Sequence, residues 1–199
     1  MPPDAVFLAV DPGQHTGFAV VEVYRGIHPH LGVILPCVPD CTVACTQHGI
    51  IEEFEGSPVL KVRDLLENIT ETYPRTLITA RNGWQPRLFV IIEQFVFTVR
   101  TIQGGRDSHA AVEMFGVFKA LINTDYPHFQ LDTRQSPADA HNIMTAPMMR
   151  TFGIVEETIG TDHAQMAVRH GILAASRLRN RILALDYDEL AKWKKNSSP

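Results

Sequence analysis

The sequence lacks the features that mark membrane-embedded or exported proteins. Its 199 residues contain no apolar run close to the roughly 20 residues that a membrane-spanning helix requires. The stretch MPPDAVFLAVDPG has no basic segment of the kind that opens a secretory signal peptide. We therefore expect a cytoplasmic protein.

Cysteine is scarce, and basic charge is not in excess. The three cysteines, Cys37, Cys41 and Cys45, lack the closely spaced pairs of a zinc knuckle. Their even spacing places them on one face of a strand, so we expect buried thiols rather than metal ligands. The net charge of −4 excludes a basic surface over the whole molecule, and nucleic-acid binding would need a local basic patch.

The sequence does contain an alternation of short apolar runs and helical patterns. Strands are predicted at 5–10, 18–24, 41–54, 87–95 and 128–133. Helices are predicted at 57–73, 109–126 and 162–185, with short helical pieces over 136–154. Because three strands come first and the later ones alternate with helices, we predict an α/β fold. Its core is a mixed five-stranded sheet, a three-strand meander followed by alternation, flanked by helices.

The length and composition indicate a single folded unit. Hydrophobic residues make up 45% and charged residues 20%, as in ordinary globular domains. We expect one domain over 1–185, in which the Pro- and Gly-containing stretch 25–40 is an insertion or wide loop. The stretch 186–199 is basic and then polar, and we expect it to fray.

Two acidic residues stand at the ends of apolar strands. Asp11 follows AVFLAV at a Pro-Gly turn, where it is either a functional carboxylate or the start of an Asx-turn. Glu93 ends the strongly apolar run in RLFVIIEQF. A buried carboxylate needs a metal, a cation or a hydrogen-bond network, so Glu93 is a candidate site residue. The alternative is a strand-end Glu that reaches solvent or pairs with Arg87 or Arg100.

An acid and an imidazole open the last predicted helix. Asp162 and Gln165 fit a helix cap, which is the structural interpretation of this segment. Together with Asp11 and Glu93, however, Asp162 and His163 can converge at one edge of the sheet. Oxygen-rich sites of that kind suit Mg²⁺ or Mn²⁺. Two such ions about 4 Å apart can stabilise the attacking and leaving oxygens in phosphodiester cleavage.

Three motifs carry a resemblance to a known family. In this order, FLAVDPGQHTGFAVV, LFVIIEQF and DHAQMAVRHGILAA resemble the RuvC-type Holliday junction resolvases, above all their bacteriophage-encoded members. The resemblance implies an RNase H-like fold, a homodimer, and two Mg²⁺ ions per site, which Mn²⁺ can replace. It implies paired nicks across a four-way DNA junction, with forks or flaps as other branched substrates. A phage-encoded protein would act in the host cytoplasm.

The resemblance assigns roles to four residues and leaves one position unmatched. It implies that Asp11 and Glu93 are metal ligands and catalytic residues, and His163 stands where relatives carry Asp or His. Relatives carry an Asp at the position of Met166, and a thioether cannot ligate a hard cation. We expect Asp162 to substitute for it; in the alternative register, Asp162 is the third ligand and Gln165 the fourth.

This departure leaves other functions open. A junction- or branched-DNA-binding protein with weak or absent catalysis is the main alternative, because Met166 removes a carboxylate. An actin-like nucleotide-binding protein is a further alternative, motivated by the turn DPGQHTG. That class needs a second phosphate loop, which we do not find in the sequence.

Several residues are candidates for supporting roles. His170 either orders the site from behind its ligands, as Gln165 could, or is a core-edge histidine bonded to a carbonyl. Basic and aromatic residues near the motifs are candidate DNA contacts, and a solvated face or core packing is their structural alternative. These candidates are Arg100, Arg106, Arg169, Arg177 and Phe97.

Overall fold

A computed structural model describes residues 3–13, 15–52, 57–73, 87–94, 106–150 and 162–178. Its strands are β1 (Ala5–Asp11), β2 (His15–Arg25), β3 (Val33–Leu35), β4 (Val38–Glu52), β5 (Arg87–Glu93) and β6 (Gln130–Gln135). Its helices are α1 (Pro58–Thr72), α2 (Arg106–Thr124), α3 (Pro137–His141), α4 (Ala146–Arg150) and α5 (162–178). The predicted tail at 186–199 lies outside the described residues.

The strands form one mixed sheet in the order β3-β4-β2-β1-β5-β6. The first four strands pair antiparallel, whereas β1, β5 and β6 run parallel to one another. The α/β prediction is therefore confirmed. The pairing of β2 with β4 contains one register shift, between Val20 and Val21.

The sheet has six strands rather than the predicted five. The additional strand is β3, which lies inside the predicted loop 25–40 and pairs with β4. Strand β4 also begins earlier than expected, at Val38. A three-residue strand is too short to give an alternating pattern, and Pro36 in the hairpin favours a loop assignment. The short helical pieces predicted over 136–154 include α4, in which Pro147 lies in the first turn, a position where proline is tolerated.

Two apolar cores lie on the two faces of the sheet. Along β1, alternate residues face opposite sides, so that Phe7 packs in one core and Leu8 in the other. One core lies beneath α5, where the Phe7 and Phe89 rings stack 5.0 Å apart. The other lies beneath α1 and α2 and includes Phe118. Strand β1 is buried along its whole length. Its last residue, Asp11, is therefore buried as well, at the carboxyl end of the strand.

Helix α5 lies close to the sheet because small residues line its inner face. A Cβ atom on Gly171 would lie 2.6 Å from Cγ2 of Val21 and 3.5 Å from Cβ of Ala9. Glycine here lets the helix backbone approach β1 and β2 directly. Side chains at neighbouring positions of α5 are therefore held at short range from the strand ends.

The three cysteines are free thiols, and the predicted burial holds in full only for Cys41. Cys41 is buried, and Cys37 and Cys45 are partly buried against the core beneath α5. Burial raises the pKa of the Cys45 thiol to about 12, which makes it a poor nucleophile. No helix among the described residues is both long and apolar enough to cross a membrane.

Candidate active site

The two strand-end acids lie at the same edge of the sheet. Asp11 is the last residue of β1 and Glu93 the last of β5. These strands are parallel neighbours, with Val10 opposite Ile92, so their carboxyl ends lie side by side. Asp11 is only 7% exposed, and Glu93 is partly buried. The topology thus brings together two acids that are 82 positions apart in the sequence (93 − 11).

The turn after β1 brings the start of α5 close to Asp11. In the β1–β2 hairpin, Gly17 pairs with Asp11. A Cβ atom on Gly17 would lie 2.1 Å from the backbone carbon and oxygen of His163, so only glycine permits this approach. The Thr16 hydroxyl donates to the Gly13 carbonyl at 2.8 Å and holds the turn. The result is a contact of 2.8 Å between Nδ1 of His163 and Oδ2 of Asp11.

The second acid has its own imidazole partner. His170, two turns along α5 from His163, places Nε2 at 2.8 Å from Oε2 of Glu93. Its side chain is completely buried. The other ring nitrogen, Nδ1, faces the Gln135 side chain at 3.0 Å. His170 therefore contacts both the Glu93 carboxylate and the Gln135 side-chain amide, and its role in ordering the site stays a prediction.

The electrostatics of the strand ends favour a bound cation. Burial raises the pKa of Glu93, the hydrogen bond from His170 lowers it, and the negative charge of Asp11 raises it again, with a net upward direction. Two carboxylates this close repel each other unless a positive charge lies between them. Their oxygens are the donors that Mg²⁺ and Mn²⁺ prefer, so this donor set fits a hard divalent ion.

The other predicted ligands, Asp162 and Gln165, are not grouped with Asp11 and Glu93 in the described part of the structure. Asp162 is exposed in the first turn of α5 and already helical, and Gln165 is buried at 8% exposure. Within the described ranges, no three His, Cys, Asp or Glu side chains are grouped to hold a metal ion. The structure therefore does not group Asp162 with Asp11 and Glu93.

Met166 is half-buried, and its sulfur lies 3.7 Å from Nη1 of Arg169.

The candidate DNA contacts have different surroundings. Arg169 places Nη1 at 2.8 Å from Nδ1 of His141, and its Nε is buried without a hydrogen-bond partner in the part of the chain described. Arg177 forms an exposed ion pair with Asp139 at 2.9 Å. Arg106 is the first residue of α2. The positions of Arg100 and Phe97 lie outside the described residues.

Sequence reasoning missed Gln135, the last residue of β6. It pairs in register with Glu93 on the neighbouring parallel strand and is 2% exposed. The end of β6 thus lies at the same edge as the ends of β1 and β5. The available signal was a polar residue two positions after the predicted strand 128–133 and directly ahead of a Ser-Pro helix start, but a neutral amide there is also typical of a turn.

Comparisons with known proteins identify the fold. No protein-family model and no curated protein sequence matches the chain. The structure is similar to that of Thermus thermophilus RuvC, with a TM-score of 0.51 and 15% identity over 87% of this chain and 95% of that one. It is also similar to T. thermophilus RuvC in complex with a Holliday junction substrate, with a TM-score of 0.50, 13% identity, and coverage of 88% and 95%. The chain therefore has the RuvC fold, and the predicted RNase H-like architecture is confirmed.

Proposed function

We propose that the protein is a divalent-metal-dependent, structure-selective endonuclease that cleaves branched DNA, resolving four-way junctions by paired nicks. The observation that carries this proposal is the pairing of Asp11 and Glu93 at the ends of adjacent parallel strands in a RuvC fold. One similar structure holds a Holliday junction substrate, which supports the same class of ligand here.

The metal would be held by the carboxylates of Asp11 and Glu93, with His163 and Asp162 on the α5 side. Two Mg²⁺ ions per site, or Mn²⁺ in their place, are the proposed cofactors. When bound, such ions polarise a phosphodiester and lower the pKa of water. This role suits two crowded carboxylates, because a cation would offset the burial and the repulsion from Asp11 that raise the pKa of Glu93.

Other side chains would orient the two carboxylates and bind the DNA backbone. His163 contacts Asp11 with 29% of its side chain exposed, so it lies at the rim of the site, where a substrate can reach it. Arg100, Arg106, Arg169, Arg177 and Phe97 are proposed DNA contacts. A phosphate would compete with Asp139 for Arg177, so that contact would weaken as salt increases. We propose a homodimer, because paired nicks in a two-fold junction need two related sites.

A nicking assay over several branched DNAs tests the proposal. Four-way junctions, forks and flaps are incubated with Mg²⁺ or Mn²⁺ and with wild type, Asp11→Asn or Glu93→Gln. We expect junction cleavage by wild type and a loss of about a thousandfold or more in either variant, equivalent to about 4 kcal/mol of barrier. Junction binding should be largely retained. Asp64→Asn, an exposed acid on α1, is the matched control. Full cleavage by either site variant would contradict the proposal.

A junction-binding protein with weak or absent catalysis is the second candidate. It is favoured by Met166 and by the lack of a three-residue ligand group among the residues described. The same assay with Mn²⁺ and excess protein separates the two candidates. Binding to four-way junctions without any nicking under those conditions would favour this second function.

A further inference from the structure

We infer that Gln135 and His170 are positioning residues that hold Glu93 in its metal-binding orientation through a single tautomer of His170. The inference rests on the proposed function for the role of Glu93, but its geometry stands independently. It adds a third strand end, that of β6, to a site that the sequence placed on two strands and one helix.

The three side chains form a continuous chain of contacts across the sheet edge, which is buried at His170 and Gln135 and partly buried at Glu93. Glu93 and Gln135 are register partners on β5 and β6, and the backbone N–H of Gln94 donates to the Gln135 carbonyl at 2.7 Å. His170 on α5 lies between their side chains, 2.8 Å from the Glu93 carboxylate and 3.0 Å from the Gln135 amide. His170 and Gln135 are 0% and 2% exposed, so water does not compete for these contacts.

The amide of Gln135 is fixed by the helix backbone. With its nitrogen towards His170, the amide donates to Nδ1 at 3.0 Å and to the His170 carbonyl at 3.1 Å. Its oxygen then accepts from the backbone N–H of Ala174 at 3.3 Å. In the opposite orientation the amide oxygen faces the His170 carbonyl and the amide nitrogen faces the Ala174 N–H, so neither backbone group is matched, whichever ring nitrogen carries the proton. The amide therefore presents an N–H to the imidazole.

An N–H donated to Nδ1 determines the tautomer of His170. Nδ1 must carry a lone pair, so the proton of the neutral imidazole resides on Nε2. Nε2 then donates to Oε2 of Glu93, which fixes one carboxylate oxygen and the rotation of the group. A partner of this kind behind a ligating carboxylate typically changes metal affinity about 10- to 100-fold.

The experiment combines histidine NMR with metal binding in the full chain. Two-dimensional ¹⁵N spectra distinguish the tautomers of the nine histidines, and the missing signal in His170→Gln assigns His170. Dissociation constants for Mn²⁺ are measured without DNA. The variants are Gln135→Met, which keeps the volume but removes the donor, and Glu22→Gln as control. Glu22 accepts hydrogen bonds from Tyr24 and Tyr73 in a buried cluster elsewhere.

We expect His170 of the wild type to carry a proton on Nε2 and none on Nδ1, as the contacts with Glu93 and Gln135 require. We expect Gln135→Met to populate the other tautomer and to raise the Mn²⁺ dissociation constant about 10- to 100-fold. Glu22→Gln should change neither. A wild-type His170 protonated on Nδ1 overturns the inference even if Gln135→Met fails to fold, and so does unchanged Mn²⁺ affinity in a folded Gln135→Met. Nicking is scored separately, so a protein with the expected spectra that cleaves no DNA would contradict the proposed function alone.

Discussion

Two imidazoles of helix α5 each contact a carboxylate at a strand end, and the two carboxylate–imidazole pairs have the same chemistry and different surroundings. His163 meets Asp11 and His170 meets Glu93, each at 2.8 Å. The side chain of His163 is 29% exposed, whereas that of His170 is fully buried. The two imidazoles are seven residues apart on one helix, and their depth beneath the surface is what separates them.

The difference arises from the way in which α5 meets the sheet. At its first turn, the helix backbone touches Gly17 in the β1–β2 hairpin, at the edge of the sheet, so His163 stays near solvent. Two turns later, Gly171 lets the helix lie directly on Val21 and Ala9, and His170 is enclosed between β5 and β6. An exposed imidazole can exchange partners when a ligand arrives, whereas a buried one is held in a single arrangement. The first pair is therefore suited to contact with a ligand and the second to positioning.

The largest loss of stability is expected from adding a side-chain carbon at Gly17, where β2 contacts α5. In Gly17→Ala, the added carbon would lie 2.1 Å from backbone atoms of His163, which cannot move aside as a side-chain tip can. We expect α5 to shift and the free energy of unfolding to fall by about 3 kcal/mol, because overpacking in a rigid site costs about 1–3 kcal/mol or more. Nicking should fall with it, since the Asp11–His163 contact is lost. Urea denaturation gives the stability.

Gly116→Ala is the matched control for this change. A Cβ atom on Gly116 would meet nothing within 4 Å, and the residue lies inside α2. Alanine should therefore stabilise the protein by about 0.5–1 kcal/mol through helix propensity. Equal effects of the two substitutions would mean that the contact between Gly17 and α5 does not hold the first pair together.

The next largest effect is the difference in stability between two variants, His170→Ala and His163→Ala. His170→Ala leaves the Glu93 carboxylate buried without its donor, and we expect a loss of about 2–3 kcal/mol in the free energy of unfolding. His163→Ala removes a partly exposed contact, and we expect a loss of about 1 kcal/mol or less. Junction cleavage should decrease in both. Chemical denaturation with a parallel nicking assay measures the two quantities, and similar stability losses would show that burial does not distinguish the pairs.

The two carboxylates of these pairs could be found in the sequence because each breaks a local rule. Asp11 and Glu93 are charged residues at the ends of apolar strands, and burying a charge requires a partner. The order of strands and helices could also be predicted from the sequence, because most elements are long enough to show the hydrophobic periodicity of a strand or a helix. Strand β3 is not, and it was assigned to a loop.

The buried pair could not be completed from the sequence. Gln135 carries no charge and breaks no pattern, so only the parallel register of β5 and β6 identifies it as a neighbour of Glu93. The burial of His170 could not be predicted either. Helical spacing places His163 and His170 on the same face of α5, but it does not show which strands cover that face. Asp162 was expected near the carboxylates from its position beside His163, yet adjacent helical residues point about 100° apart, and it remains exposed.

Met166 lies between the two imidazoles on α5, and changing it has the smallest expected effect. Met166→Asp adds a carboxylate to the face of α5 between the two imidazoles, so Mn²⁺ affinity should increase with ligand charge. Arg169 opposes the gain, because its Nη1 lies 3.7 Å from the Met166 sulfur and would pair with the new carboxylate. We therefore expect an increase of about tenfold or less, worth about 1.4 kcal/mol at most, measured by calorimetry. Met166→Asn controls for polarity without charge. Unchanged affinity in Met166→Asp would mean either that Arg169 pairs fully with the new carboxylate or that Asp162 already supplies the missing one, and in both cases the centre of α5 adds no ligand to the metal site.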